Sequence, residues 1–127
     1  MACLVLGTES SSVYILDPEA FTIMDSLALP APPVFLSVTG LYDVEYRIVV
    51  ACRNGSLCVL KRGWQAARVI CPLDSQPVGL IRREKSITVA TMDNNLMAVN
   101  NKGKIKDQIN YRLYYSLLTW RGNAGPR

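Results

Sequence analysis

The sequence of 127 residues contains no histidine, no long apolar run and, in its first 46 residues, no lysine or arginine. Without histidine, a hydrolytic triad and histidine-based acid–base catalysis are excluded. A glycine-rich loop followed by Lys-Ser or Lys-Thr is also missing, so the sequence offers no nucleotide cradle. We therefore expect a protein that is not an enzyme and that binds neither a cofactor nor a metal ion.

The apolar runs are too short for a membrane span. The longest, at residues 34–38 and 48–52, have the length of a strand, whereas roughly 18–20 residues are needed to cross a bilayer. The N-terminus has no basic segment before its apolar stretch, and Glu9 interrupts that stretch early, unlike a signal peptide. The sequence therefore predicts a globular chain of the cytoplasm.

The four cysteines lack the close spacing of a zinc site. Cys52 and Cys58 flank a predicted turn at Asn54-Gly55. A two-residue loop would place these two thiols on opposite faces, and one extra bulge residue would make them diagonal neighbours. Because neither geometry favours a disulfide, we expect reduced, buried thiols. The cysteines are Cys3, Cys52, Cys58 and Cys71.

Internal repetition is the most informative signal. Residues 4–16, 49–60 and 88–99 share a short apolar run, a polar turn and a second alternating run. Aligning Gly7, Cys52 and Thr91 gives separations of 45 and 39 residues. Apolar and β-branched arms around such turns predict β-hairpins. Further strands are predicted at residues 21–29, 34–41, 65–73, 78–82 and 104–109.

Four strands per roughly 40 residues correspond to one propeller blade. The sequence thus predicts an all-β, partial, open β-propeller of about two and a half four-stranded antiparallel blades. We expect the propeller at residues 1–110, with blades near 2–29, 34–73 and 77–110, and a divergent tail at 111–127. A β-sandwich or small barrel is the alternative fold, and residues 17–29 are an alternative helix.

The charges are divided between the two halves of the chain. Residues 1–46 carry six acids and no base, a charge of −6, whereas residues 47–127 carry 14 bases and four acids, a charge of +10. Either the halves meet complementary charges in a larger assembly, or the second half presents a basic face to an acidic partner. The predicted partner-binding residues are Arg82, Arg83, Lys85, Lys102, Lys104 and Lys106.

The last three of these lysines alternate and would share one side of a strand. Such a cluster suits an acidic protein surface or anionic lipid headgroups, and a solvated blade edge is the alternative. We expect no nucleic acid partner, because the aromatic residues do not interleave with the basic ones. Carboxylates at short spacing, such as Asp17 and Glu19, favour loops rather than a metal site.

Several sequence blocks resemble one known family. They are residues 3–10, 16–23, 51–55, 76–80 and 102–104. In this order and at similar spacing, they resemble the N-terminal propeller of the Bardet–Biedl syndrome 1 protein family, over roughly residues 3–106. Beyond Tyr111 the resemblance weakens.

The resemblance implies a non-enzymatic subunit of the BBSome, a coat-like complex that moves membrane proteins into and out of cilia. It implies a cytoplasmic and ciliary location, at the ciliary base. The implied partners are a GTP-bound Arf-like small GTPase, other BBSome subunits and the cytoplasmic tails of ciliary cargo, with only indirect membrane contact. The alternatives are a truncated, poorly stable product without independent function, or a propeller interaction domain of another complex.

Overall fold

A computed structural model describes residues 3–110 of the chain. This part of the chain forms eleven β-strands and no helix. The strands are β1 (Leu4–Thr8), β2 (Ser12–Leu16), β3 (Ile23–Ala28), β4 (Pro33–Leu41), β5 (Glu45–Cys52), β6 (Ser56–Lys61), β7 (Arg68–Pro72), β8 (Pro77–Arg82), β9 (Ser86–Thr91), β10 (Asn95–Asn100) and β11 (Ile105–Asn110). The predicted tail at 111–127 lies outside the described residues.

The strands form three antiparallel sheets in which sequence neighbours pair. Their orders are β1-β2-β3, β4-β5-β6-β7 and β8-β9-β10-β11. Strand β4 contacts β1 on one side and β8 on the other, so successive sheets lie side by side as propeller blades. The predicted open propeller is confirmed: the first blade has three strands and the others have four, and the described residues form neither a sandwich nor a closed barrel.

The three predicted hairpins share one turn geometry. Each turn has three residues, and the third adopts a left-handed conformation that bends the chain into the following strand. These residues are Ser11 (φ 60°), Gly55 (φ 89°) and Asn94 (φ 66°). The equivalent strand ends are Thr8, Cys52 and Thr91, which are separated by 44 and 39 residues. The alignment on Gly7 was therefore wrong by one residue, because the first turn begins only at Glu9.

The segment after β2 forms a turn, so the alternative helix at residues 17–29 is wrong. The N–H of Phe21 donates to the carbonyl of Asp17 at 2.8 Å, and Phe21 has a φ of 54°. The Asp17 side chain also accepts a hydrogen bond from the N–H of Glu19 at 2.9 Å. Because a left-handed residue ends a right-handed helix, the chain leaves the turn here and β3 begins at Ile23.

The second blade is buried on both faces. Along β5, Ile48 and Val50 point toward the first blade, whereas Val49 and Ala51 point toward the third. The core between the first two blades contains Val13, Ile15, Leu27, Leu29, Ala31, Tyr46, Ile48, Val50, Cys52, Cys58 and Leu60. The core between the second and third contains Val49, Ala51, Leu57, Val59, Cys71, Leu73, Ile87, Val89, Met97 and Val99.

The outer blades expose apolar side chains. On β1, Leu4 and Leu6 are 47% and 51% exposed, and Ile109 on β11 is 43% exposed. The register places Leu4 opposite Leu16 and Ile109 opposite Leu96, so each exposed residue belongs to an apolar stripe. The middle blade therefore contributes to two cores, and each outer blade contributes to one.

A glycine lets the second and third blades approach closely. Gly103 lies in the β10–β11 turn with a φ of 92°. A Cβ atom at this position would overlap the backbone carbonyl oxygen of Ile70, in the outer strand β7 of the second blade. The close approach of the β10–β11 turn to β7 therefore requires glycine.

Candidate interaction surface

Four of the six predicted partner-binding residues lie in two neighbouring turns of the third blade, whereas Arg82 is the last residue of β8 and Lys106 lies in β11. Arg83 and Lys85 are exposed in the β8–β9 turn. The backbone carbonyl of Glu84 in this turn accepts a hydrogen bond at 3.2 Å from the side-chain amide of Asn101. Asn101 precedes Lys102 in the β10–β11 turn, so the fold brings the two basic segments to the same edge.

The three alternating lysines would face the same side only if they lay on one strand, and in the structure they do not. The Oδ1 atom of Asn100 accepts hydrogen bonds from the backbone N–H groups of Lys102 and Lys104, each at 2.9 Å. These bonds keep both lysines in the turn, and β11 begins at Ile105. Of the three lysines, Lys106 is the one that lies in the strand, and all three are exposed.

Arg82 points inward, toward the second blade. Its Nη1 atom donates a hydrogen bond to Oγ1 of Thr39 at 2.5 Å. Burial lowers the pKa of the Arg82 guanidinium, and the neighbouring Arg47 lowers it further. The Nε atom of Arg82 is buried and has no hydrogen-bond partner among the described residues. The fold therefore holds a half-buried cation beside a second cation.

Arg47 belongs to a polar row that crosses the second blade at the same end. The sheet register places Thr39 opposite Arg47, and Arg47 opposite Lys61. Arg47 is two residues from the buried Val49, so its side chain lies on the face toward the third blade. Thr39, Arg47 and Lys61, together with Arg82, line a cleft of about 260 Å³.

A larger cleft of about 450 Å³ shares Arg47 and Lys61 with the first one. Trp64, Arg68 and Lys102 also line it. The Cζ atom of Arg68 lies 4.4 Å from the centroid of the Trp64 ring, and Nζ of Lys61 lies 5.6 Å from it. Both are cation–π distances. We call these six residues the basic groove: Arg47, Lys61, Trp64, Arg68, Arg82 and Lys102.

Sequence reasoning identified two residues of this groove and missed four. Trp64 lies between Lys61 and Arg68 in the sequence and contacts both in the structure, although this single ring does not make the stacking motif of a nucleic-acid site. That spacing was the available signal. No local sequence pattern points to Arg47, because its neighbour in the groove, Arg82, lies 35 residues further along the chain and in another blade.

The cysteines are free thiols, and three of them are buried. Because Val50 pairs with Cys58 across a three-residue turn, Cys52 and Cys58 are diagonal neighbours, as in the second of the two predicted geometries. The hydrogen bond with Cys52 and burial both raise the pKa of Cys58. Burial also raises the pKa of Cys71. Cys58 and Cys71 therefore stay protonated at neutral pH, whereas the hydrogen bond with Cys58 lowers the pKa of Cys52, and Cys3 is partly exposed.

Several acidic side chains stabilise turns and blade contacts. Asp93 accepts a hydrogen bond from the side-chain amide of Asn95 at 3.0 Å within the β9–β10 turn.

Within residues 3–110, no group of three or more His, Cys, Asp or Glu side chains is placed to hold a metal ion. No helix in this part of the chain is long and apolar enough to span a membrane.

The family model and the curated relatives that match this chain all belong to one family. The model of the family described as ciliary BBSome complex subunit 1 matches residues 1–61. BBSome complex member BBS1 of Mus musculus is 48% identical over 103 residues, which are 81% of this chain and 17% of the mouse protein. The protein of the same name from Homo sapiens is 46% identical over 104 residues, covering 82% of this chain and 18% of its own length.

Solved structures agree with these matches. The crystal structure of BBS1N in complex with ARL6DN, soaked with mercury, matches with a TM-score of 0.77 and 34% identity. The match covers 87% of this chain and 36% of that one. The computationally designed Ika8 protein matches with a TM-score of 0.73 over 97% of this chain, but at 12% identity it supports the fold alone.

The consecutive stacked blades, with their shared turn geometry, define the chain as a segment of a β-propeller. The sequence matches then identify the family: the chain belongs to the BBSome complex subunit 1 family and corresponds to its N-terminal propeller. It spans about 17–18% of the length of the curated relatives that it matches.

Proposed function

We propose that the chain is a non-enzymatic interaction module of the BBSome that takes part in binding an Arf-like small GTPase. The observation that carries this proposal is the match to BBS1N, which was solved in complex with ARL6DN. The match extends over 87% of the chain at 34% identity. The blades described above are thus of the same kind as those in a domain that binds this GTPase.

The wider role follows from the family. We propose that the chain joins other BBSome subunits and supports the trafficking of membrane proteins to and from cilia, including contact with the cytoplasmic tails of cargo. The expected location is the cytoplasm and the cilium. The support is the family description and the two BBS1 relatives at 46–48% identity.

The direct test is co-precipitation of purified ARL6 with the tagged 127-residue chain. We expect ARL6 loaded with a non-hydrolysable GTP analogue to be retained, and the GDP-loaded protein to be lost. A Val50→Asp variant is the matched control, because Val50 is fully buried between two blades and a carboxylate there disrupts the core. Retention of neither nucleotide form by the unmodified chain would reject the GTPase proposal.

A second candidate is that the chain alone is too unstable to function. The exposed Leu4 and Leu6 on the outer face of the first blade favour this candidate, since exposed apolar stripes promote association. Sedimentation velocity and a thermal melt decide between the two. A monomer with one cooperative transition would exclude the second candidate, and aggregation or a broad transition would favour it.

A further inference from the structure

The basic groove contains a concentration of positive charge that the described residues do not neutralise. Its five cations come from two blades: Arg47, Lys61 and Arg68 from the second, and Arg82 and Lys102 from the third. Within residues 3–110, none of the five forms an ion pair with a carboxylate, and Glu45 is the one acidic residue lining either cleft. An anion bound here would therefore find complementary charge on both walls.

Arg82 shows that this charge is unfavourable in the unbound chain. Its guanidinium is half-buried, lies next to Arg47 and leaves Nε buried without a partner among the described residues. Like charges in a partly desolvated cleft repel each other more strongly than in water. Groups held in an unfavourable arrangement at a cleft are typical of binding sites, and a bound anion would relieve the repulsion.

Trp64 adds an apolar surface to the charged groove. Its ring packs on the core between the second and third blades and remains partly exposed. Arg68 and Lys61 lie over the ring at 4.4 and 5.6 Å from its centroid, which orders both cations at the groove wall. A ligand that fits here combines several negative charges with an apolar side chain.

We propose that the basic groove binds an acidic peptide segment of a partner protein, with carboxylates at the cations and an apolar side chain against Trp64. The two clefts, of about 260 and 450 Å³, adjoin each other, because Arg47 and Lys61 line both. An extended peptide can place successive side chains in adjoining clefts, whereas a flat bilayer surface cannot. Single-stranded nucleic acid stacks on several aromatic rings, and one ring lines this groove.

An acidic peptide is a different class of ligand from the Arf-like GTPase, and its proposed site is limited to the basic groove. The probe is a fluorescein-labelled peptide of glutamate and aspartate residues with one central phenylalanine, titrated with the full chain and followed by fluorescence anisotropy. We expect saturable binding that weakens by about tenfold or more when salt is raised from about 50 mM to about 500 mM, because the attraction is electrostatic. The same peptide with glutamine and asparagine in place of its acids should not bind.

Charge-matched variants locate the site. Arg47→Gln combined with Lys61→Gln removes two groove cations and should weaken binding by about tenfold or more. Arg83→Gln combined with Lys85→Gln removes the same charge from an exposed turn outside the groove, and should change binding by less than about twofold. Lys102→Gln is an independent groove variant at an exposed turn position, so its effect does not depend on core packing.

The outcomes are decisive. Equal losses in the groove and turn variants would overturn the proposal, because they would show unspecific attraction to net charge. Absence of peptide binding, combined with groove-dependent binding to vesicles of phosphatidylcholine and phosphatidylserine, would replace the peptide with a membrane. Groove-dependent binding of the peptide and not of the vesicles would support the proposal, whether or not ARL6 binds.

Discussion

The Nη2 atom of Arg53 contacts both carboxylate oxygens of Glu9, at 2.5 and 2.6 Å. Glu9 lies in the β1–β2 turn and Arg53 in the equivalent β5–β6 turn, so this ion pair joins the first two blades at one end. It also joins the acidic and basic halves of the chain. The side chains of Arg53 and Glu9 are 49% and 79% exposed, and solvent therefore screens the interaction.

A double-mutant cycle with Glu9→Gln and Arg53→Gln measures this contact. We expect a coupling free energy below about 1 kcal/mol, because exposed ion pairs contribute little to stability. At about 1 M salt the coupling should vanish, since the screening length falls to about 3 Å. A coupling above about 2 kcal/mol that persists in high salt would contradict this account of the contact.

Replacing Gly103 tests the approach of the second and third blades. Gly103→Ala adds a Cβ that overlaps the carbonyl oxygen of Ile70, whereas Gly63→Ala, at a similar φ of 85°, meets nothing within 4 Å. The Gly63 variant should lose about 1 kcal/mol of unfolding free energy through its backbone conformation alone. The Gly103 variant should lose about 1–3 kcal/mol more. Equal losses in urea unfolding would show that the blades do not meet at Ile70.

Arg82→Met should leave the free energy of unfolding unchanged or raise it by up to about 1 kcal/mol. The substitution removes a half-buried cation beside Arg47 and an Nε atom that lacks a partner among the described residues, although it also removes the hydrogen bond to Thr39. Arg83→Met, at an exposed position in the next turn, is the control. A loss above about 2 kcal/mol for Arg82→Met would mean that Arg82 stabilises the fold rather than serving a ligand.

Stability should decrease as the pH rises above about 8.5, the ordinary thiol value. The hydrogen bond between Cys52 and Cys58 raises the pKa of Cys58 and lowers that of Cys52, so the effects of these two thiols oppose each other. Burial raises the pKa of Cys71 and of Tyr46, and these two groups determine the direction of the pH dependence. In this range the folded chain holds protons that the unfolded chain has released, so the free energy of unfolding falls with pH. The contribution is fully present below the unfolded values and is lost as the pH rises toward the folded ones.

Urea unfolding between about pH 7 and about pH 10 measures this dependence, and Cys71→Ala should flatten it, because burial raises the pKa of the Cys71 thiol. A free energy of unfolding that rises through this window would contradict the raised pKa values of Cys71 and Tyr46.

The sequence predicts the blades well because each strand depends on local pattern. Paired apolar strands around Asn54-Gly55 specify a hairpin without any distant contact. Boundaries were less accurate where one residue changes the backbone path, as at Phe21, which turns left-handed and delays β3 to Ile23. The position of Lys104 was missed because the Asn100 side chain extends the turn around it.

The groove could be predicted only in part, because it forms between blades. Lys61, Trp64 and Arg68 are close in sequence, and their spacing already indicates a basic aromatic cluster. Arg47 and Arg82 become neighbours only when the second blade stacks on the third, and no local pattern encodes that contact.

The proposed BBSome interaction module should recognise an Arf-like GTPase through these blades. The decisive measurement is isothermal titration calorimetry of ARL6 into the 127-residue chain, with the BBS1N domain that was solved in complex with ARL6DN as the positive control. We expect the GTP-analogue form to bind at one site and the GDP form to give no heat. Absence of binding to the chain, under conditions in which BBS1N binds, would contradict the proposed GTPase recognition.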